Sequence, residues 1–142
     1  MKYLVMIQGS QADYDAMAGK PSAGSPAWNE QDTQTMFAFM ERLNNELVES
    51  GEMVDGNGLA APALTLSVLP GADGRPVVTE GPYGDPGKQM AGYWVLDCAG
   101  PERVTEIAAR IGECPQPEGA PVYPVVIRPI MDDGGELTAA DG

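Results

Sequence analysis

The chain opens on an unbroken apolar run, Tyr3-Leu4-Val5-Met6-Ile7. Such a run reads as a strand over Lys2–Gln8 with both faces covered. Gly9 to Gly24 is polar and rich in small residues. Within it Asp13–Ala18 reads as a short helical turn ended by Gly19, and Lys20–Pro26 as a loop. The period then becomes helical. Starting between Pro26 and Thr33, Met36, Met40, Leu43 and Leu47 fall at i, i+4, i+7 and i+11, with Phe37 and Val48 flanking the stripe. Gly51 supplies the stop. This spacing assigns the methionines and Phe37 to core packing rather than to a ligand box.

Met53-Val54-Asp55 forms a short strand before Gly56-Asn57-Gly58, which reads as a turn. That glycine segment is too short for a phosphate loop and lacks its Lys and Ser/Thr. Leu64, Leu66 and Val68 alternate with Thr65, Ser67 and Leu69, so Ala63–Leu69 is expected to be a half-buried strand. Pro70–Gly74 is the hairpin loop and Arg75–Glu80 the returning strand. Gly81–Gly87 is a loop dense in turn formers. Met90–Asp97 is the next strand. Gly100-Pro101-Glu102 starts a second helix, with Pro at its first position and an acid in its first turn. Val104, Ile107, Ala108 and Ile111 form its stripe, and Gly112 ends it. A Pro/Gly loop over Cys114–Tyr123 leads to a last strand over Pro124–Ile130. The pattern gives one domain over 1–130 and an acidic tail over 131–142.

The order is strand, helix, strand pair, strand, helix, strand. This is an α+β layout with two helices on one face of an antiparallel sheet. Two helices cover only one face. Yet Lys2–Gln8, Tyr93–Leu96 and Val125–Ile127 are apolar on both. A second copy is the economical cover, so a homodimer closed across open sheet faces is expected.

Composition narrows the function classes. At 142 residues the chain supports a single domain. Twenty-one acids face eight bases, a net charge of −13, so nucleic acid and anionic membrane surfaces are poor partners. No apolar run is long enough to span a bilayer, and the N-terminus lacks the features of a signal peptide. Histidine is absent. That removes the commonest general base, the commonest metal ligand and every Ser-His or Cys-His pair. Cys98 and Cys114 alone are too few for a structural zinc site, so no metal and no cofactor are expected. These two cysteines flank the second helix, whose roughly twelve residues rise about 18 Å. Bridged Cα atoms lie within roughly 7 Å. Two free thiols and a reducing, cytoplasmic compartment follow as the expectation.

Several segments resemble the YCII-related family, specifically its DGPF-motif branch. They are Met1-Lys2-Tyr3-Leu4-Val5-Met6-Ile7, Gly56-Asn57-Gly58-Leu59-Ala60-Ala61-Pro62, Val78-Thr79-Glu80-Gly81-Pro82-Tyr83, Lys88–Asp97 and Val126-Ile127-Arg128-Pro129-Ile130. Glu80 stands where the branch's motif has Asp, and Tyr83 where it has Phe. The His–Asp pair of the YCII branch has no counterpart here. The resemblance implies a ferredoxin-like, dimeric α/β-barrel type of fold with a cleft. It also implies an association with sigma factors of the extracytoplasmic-function class.

Five residues are candidates for binding chemistry. Glu80 and Tyr83 bracket Gly81-Pro82. They read either as a base beside an acid or stacking wall, or as a structural turn. Lys88 reads as a point charge for an anionic group or as a solvated loop cation. Arg128, inside an apolar strand, needs a partner. Asp97 or Glu80 would orient it as a fork for a carboxylate, or it is an edge residue in a structural salt bridge. Asp132-Asp133 reads as solvated tail rather than a cation site. Two functions stay open. One is a cleft that binds a small anionic metabolite, with acid–base chemistry from Glu80 or Asp97. The other is a non-catalytic regulatory partner protein that uses its acidic surface and tail.

Overall fold

A computed structural model describes residues 1–131 of the chain. The acidic tail expected over 131–142, with Asp132 and Asp133, lies outside the described residues except for Met131.

Among the described residues six strands and three α-helices follow one another as β1 (Lys2–Gln8), α1 (Gln11–Met17), α2 (Glu30–Glu49), β2 (Met53–Gly58), β3 (Leu66–Pro70), β4 (Pro76–Glu80), β5 (Met90–Asp97), α3 (Pro101–Gly112) and β6 (Val126–Pro129). The main sheet is antiparallel, in the order β2-β5-β1-β6. With α2 between β1 and β2, and α3 between β5 and β6, this is the split β-α-β connectivity of ferredoxin-like proteins. The hairpin β3–β4 is inserted between β2 and β5 as a separate two-stranded sheet.

The register explains the core. Opposite Leu96 lies Tyr3, and opposite Trp94 lies Val5. All four point to one face and are buried. On them pack Leu43 and Leu47 of α2 and Val104, Ile107, Ala108 and Ile111 of α3. Each large apolar side chain buried in this way contributes about 1.5–3 kcal/mol. Both helices therefore cover the same face, as the pattern requires. The opposite face carries Leu4, Met6, Tyr93, Val95, Val126 and Arg128.

The helices are locally encoded. Ser10 and Asp13 make a reciprocal capping box on α1, and Asn29 and Asp32 make another on α2. Pro101 opens α3. The Glu52 carboxylate accepts from Nε and Nη2 of Arg103, both at 2.8 Å, which ties the start of β2 to α3. An Arg110–Glu46 pair ties α3 to α2. No ordinary disulfide forms: Cys98 is buried, Cys114 is half-buried, and both are free.

Two expectations are corrected. Gly56-Asn57-Gly58 is not a turn but the second half of β2, paired to Trp94, Tyr93 and Gly92. Cross-strand pairing with β5 overrides the local preference of glycine for turns. The hairpin is also not half-buried. Leu66, Val68, Leu69, Val77 and Val78 are all exposed, because among the described residues β3 and β4 pair only with each other and no layer covers them.

Candidate functional site

A cavity of about 600 Å³ opens on the helix side of the sheet. Its floor is built from glycine. Gly56 and Gly58 lie on the helix-facing side of β2, and Gly92 faces the same way on β5. With no Cβ at these positions, the sheet surface drops away beneath α2. The C-terminal half of α2 packs tightly through Leu43 and Leu47. Its N-terminal half overhangs the glycine floor and presents Met36, Phe37 and Met40 to the gap.

A helix with this stripe was expected to bury it whole. Phe37 instead remains 61% exposed, and Met36 with Phe37 forms a cavity wall. Met40 does both jobs, since it lines the cavity and touches the core. Glycine inside a strand marks a close approach of backbone or ligand, so the alternate glycines of β2 were the available signal. Methionine crowding on one helix was a second, weaker one.

The remaining walls come from the α1 region and from a proline-rich strap over 114–125. Tyr14, Trp28 and Tyr123 line them. The phenol of Tyr14 donates to the carbonyls of Leu59 at 2.7 Å and Ala91 at 3.3 Å, which anchors α1 to β5 and to the residue that follows β2. The phenol of Tyr123 donates to Oδ2 of Asp13 at 2.6 Å. The side-chain amide of Gln8 donates to the carbonyl of Pro124 at 3.2 Å. These two bonds hold the end of the strap in place. Burial raises both phenols above the ordinary tyrosine value, and for Tyr123 the bond to Asp13 adds to the effect. Both therefore stay neutral donors near pH 7. At the back, Nε1 of Trp94 donates to Oδ1 of Asn44 at 2.9 Å and fixes the indole against α2.

The five residues named from sequence lie elsewhere, and none lines the cavity. Glu80, Tyr83 and Lys88 share one segment. Glu80 ends β4 opposite Leu66, and Gly81, at φ +104°, donates its amide to the Thr65 carbonyl at 2.8 Å. Tyr83 is 78% exposed. Gln89, whose polar side chain carries no motif in the sequence, organises this loop: its amide donates to the carbonyls of Tyr83 at 2.8 Å and Asp85 at 2.9 Å. Lys88 is exposed in the following 3-10 turn. Asp97 and Arg128 sit on the open face of the main sheet, on β5 and β6, with β1 between them. Asp97 pairs with the Met1 amine at 3.2 Å rather than with Arg128. Arg128 is exposed on an edge strand, and among the described residues it makes no ion pair within 4.0 Å.

Among the described residues no group of His, Cys, Asp or Glu is arranged to hold a metal ion. No described helix is long and apolar enough to cross a membrane.

Comparison with known proteins agrees with this architecture. Over 95 residues the chain is 20% identical to an uncharacterised protein of Rhizobium meliloti (strain 1021), a match covering 67% of this chain and 76% of that protein. The family model of the YCII-related domain matches residues 1–126, which span every element from β1 to the start of β6. The chain belongs to the YCII-related family.

Proposed function

We propose that the chain is a homodimeric, small-molecule-binding protein whose ligand occupies the cavity between α2 and the glycine floor. The observation that carries this reading is the cavity itself. Its volume of about 600 Å³ lies inside the range of roughly 300–1,000 Å³ typical of ligand sites. Its wall is aromatic and thioether, with a few placed polar groups such as Asn44 and Asp13. A core that merely packed would close such a space, because interiors are as dense as organic crystals.

The wall holds no Lys or Arg among the described residues. This favours an apolar ligand there over the anionic metabolite that Lys88 and Arg128 suggested. The homodimer reading is supported by the apolar open face, where among the described residues Leu4, Met6, Val95 and Val126 have no layer above them. The Val78–Tyr83 and Lys88–Asp97 segments support placing the chain in the DGPF-motif branch.

The test uses N-phenyl-1-naphthylamine, a neutral probe that brightens in apolar surroundings. Saturable binding of one probe per chain is expected. Gly58→Leu should abolish it in a protein with unchanged circular dichroism, since a Cβ at Gly58 would meet no atom within 4 Å and Gly58 lines the cavity. No saturable binding, or binding that survives Gly58→Leu, overturns the reading.

A further inference from the structure

The cavity wall carries a single charged side chain among the described residues, Asp13. Four carboxylates among the described residues face a cation: Glu52 and Glu106 face Arg103, Glu46 faces Arg110, and Asp97 faces the Met1 amine; others, Asp32, Asp55 and Asp85 among them, are held by neutral donors alone, but none of these lines the cavity. Asp13 faces no cation among the described residues. It is held by neutral donors instead. Its Oδ2 accepts from the Ser10 amide at 2.8 Å, the Ser10 hydroxyl at 3.0 Å and the Tyr123 phenol at 2.6 Å; its Oδ1 accepts from the Ser25 hydroxyl at 3.3 Å. These donors orient the carboxylate without placing a cation within 4.0 Å of it.

The rest of the wall has the complementary chemistry. Tyr14, Trp28, Phe37 and Tyr123 supply aromatic rings, and Met36 and Met40 supply polarisable thioethers. Ring faces attract a cation that has shed its water. They also accept an apolar body without cost. The net charge of −13 adds a long-range field that concentrates cations and repels anions.

Resting on the cavity reading above, we propose that its ligand is an organic cation: an amine or quaternary ammonium on an apolar, ring-sized body, with the nitrogen held between the aromatic rings and Asp13.

Three probes of matched shape separate this proposal from the reading beneath it. They are 4-phenylbutylamine, 4-phenylbutan-1-ol and 4-phenylbutyrate, titrated calorimetrically into the full chain. The amine is expected to bind about tenfold more tightly than the alcohol, and the carboxylate more weakly than either. The amine's advantage should shrink as salt rises from about 0.01 to about 1 M, whereas the alcohol's affinity should not fall. Asp13→Asn, which keeps an acceptor for the capping turn, should bring the amine down to the alcohol. If Asp13→Asn fails to fold, the salt series on the native protein decides alone. An alcohol that binds as well as the amine, or a salt-independent preference, overturns the cation and leaves the cavity reading standing. Absence of binding by all three overturns both.

Discussion

The Tyr123 phenol donates to the Asp13 carboxylate at 2.6 Å across 110 positions of sequence. This one bond joins the proline-rich strap to the capping turn of α1. Because Asp13 also closes the capping box with Ser10, strap and helix start are held as one unit. Tyr123→Phe removes the donor and leaves the ring. A hydrogen bond to a charged acceptor contributes about 1.5–3 kcal/mol, and a half-exposed one belongs at the low end. The variant is expected to lose about 1.5 kcal/mol by chemical denaturation. Amide exchange should quicken over 114–125 and stay unchanged in α3. Unchanged exchange in the strap would show that the bond does not latch it.

Glu52 offers a test by pH. The Arg103 guanidinium beside it lowers its pKa from the ordinary 4.5 to about 2, with a smaller contribution from the Ser50 hydroxyl. A carboxylate more acidic in the folded chain than in the unfolded one stabilises the fold fully above about pH 4.5, and that contribution disappears as pH falls towards about 2. Arg103 is itself more than one-third exposed, so solvent screens the pair and a contribution of about 1 kcal/mol is the realistic size. The stability gap between the native protein and Glu52→Gln is therefore expected to be present at neutral pH and to close in acid. A gap that stays constant down to about pH 2 would assign Glu52 a role other than the ion pair.

The strands and helices were legible in sequence because period and punctuation are local. Tyr3 to Ile7, the stripe through Leu43 and Leu47, and Gly100-Pro101 each announce an element within a few residues. Burial of the hairpin was not legible. Alternation at Leu66 and Val68 shows that the strand has two faces, not whether anything covers one of them. The cavity was hidden for a related reason. It arises where Gly56, Gly58 and Gly92 lie beneath Met36 and Phe37, and no window of sequence contains both the floor and the roof. Charged residues in apolar strands drew attention to Asp97 and Arg128, yet both point to the open face, where water reaches them.

The glycine floor makes two contrasting predictions. A Cβ at Gly92 would lie 3.2 Å from the Asn57 carbonyl oxygen and 3.3 Å from Cδ1 of Ile7. The carbonyl belongs to the paired strand β2 and cannot easily move, so Gly92→Ala should destabilise by about 1–3 kcal/mol. A Cβ at Gly58 meets nothing within 4 Å. Gly58→Ala should be neutral or should stabilise by about 0.4–1 kcal/mol, because it restricts the unfolded chain. Denaturant midpoints of the two variants check this. Equal destabilisation by both would mean that Gly58 is kept for its backbone and not for the space above it.

The open sheet face gives the prediction about assembly. Val126 lies on it beside Arg128, next to Leu4 and Met6 of the central strand. An apolar face on a chain with a net charge of −13 is a surface on which two copies can meet only where charge is sparse. The native protein is therefore expected to sediment at twice 14.9 kDa, with the dimer tightened by added salt as repulsion between copies is screened. Val126→Glu places a carboxylate in each half of that contact. Val126 is already 38% exposed in the single chain, so the fold should tolerate the change while the dimer dissociates. The exposed hairpin supplies the competing surface, and Val68→Asp reports on it. If Val68→Asp splits the dimer and Val126→Glu does not, the copies meet through β3 and β4. A native protein that is monomeric across a concentration series removes the dimer altogether.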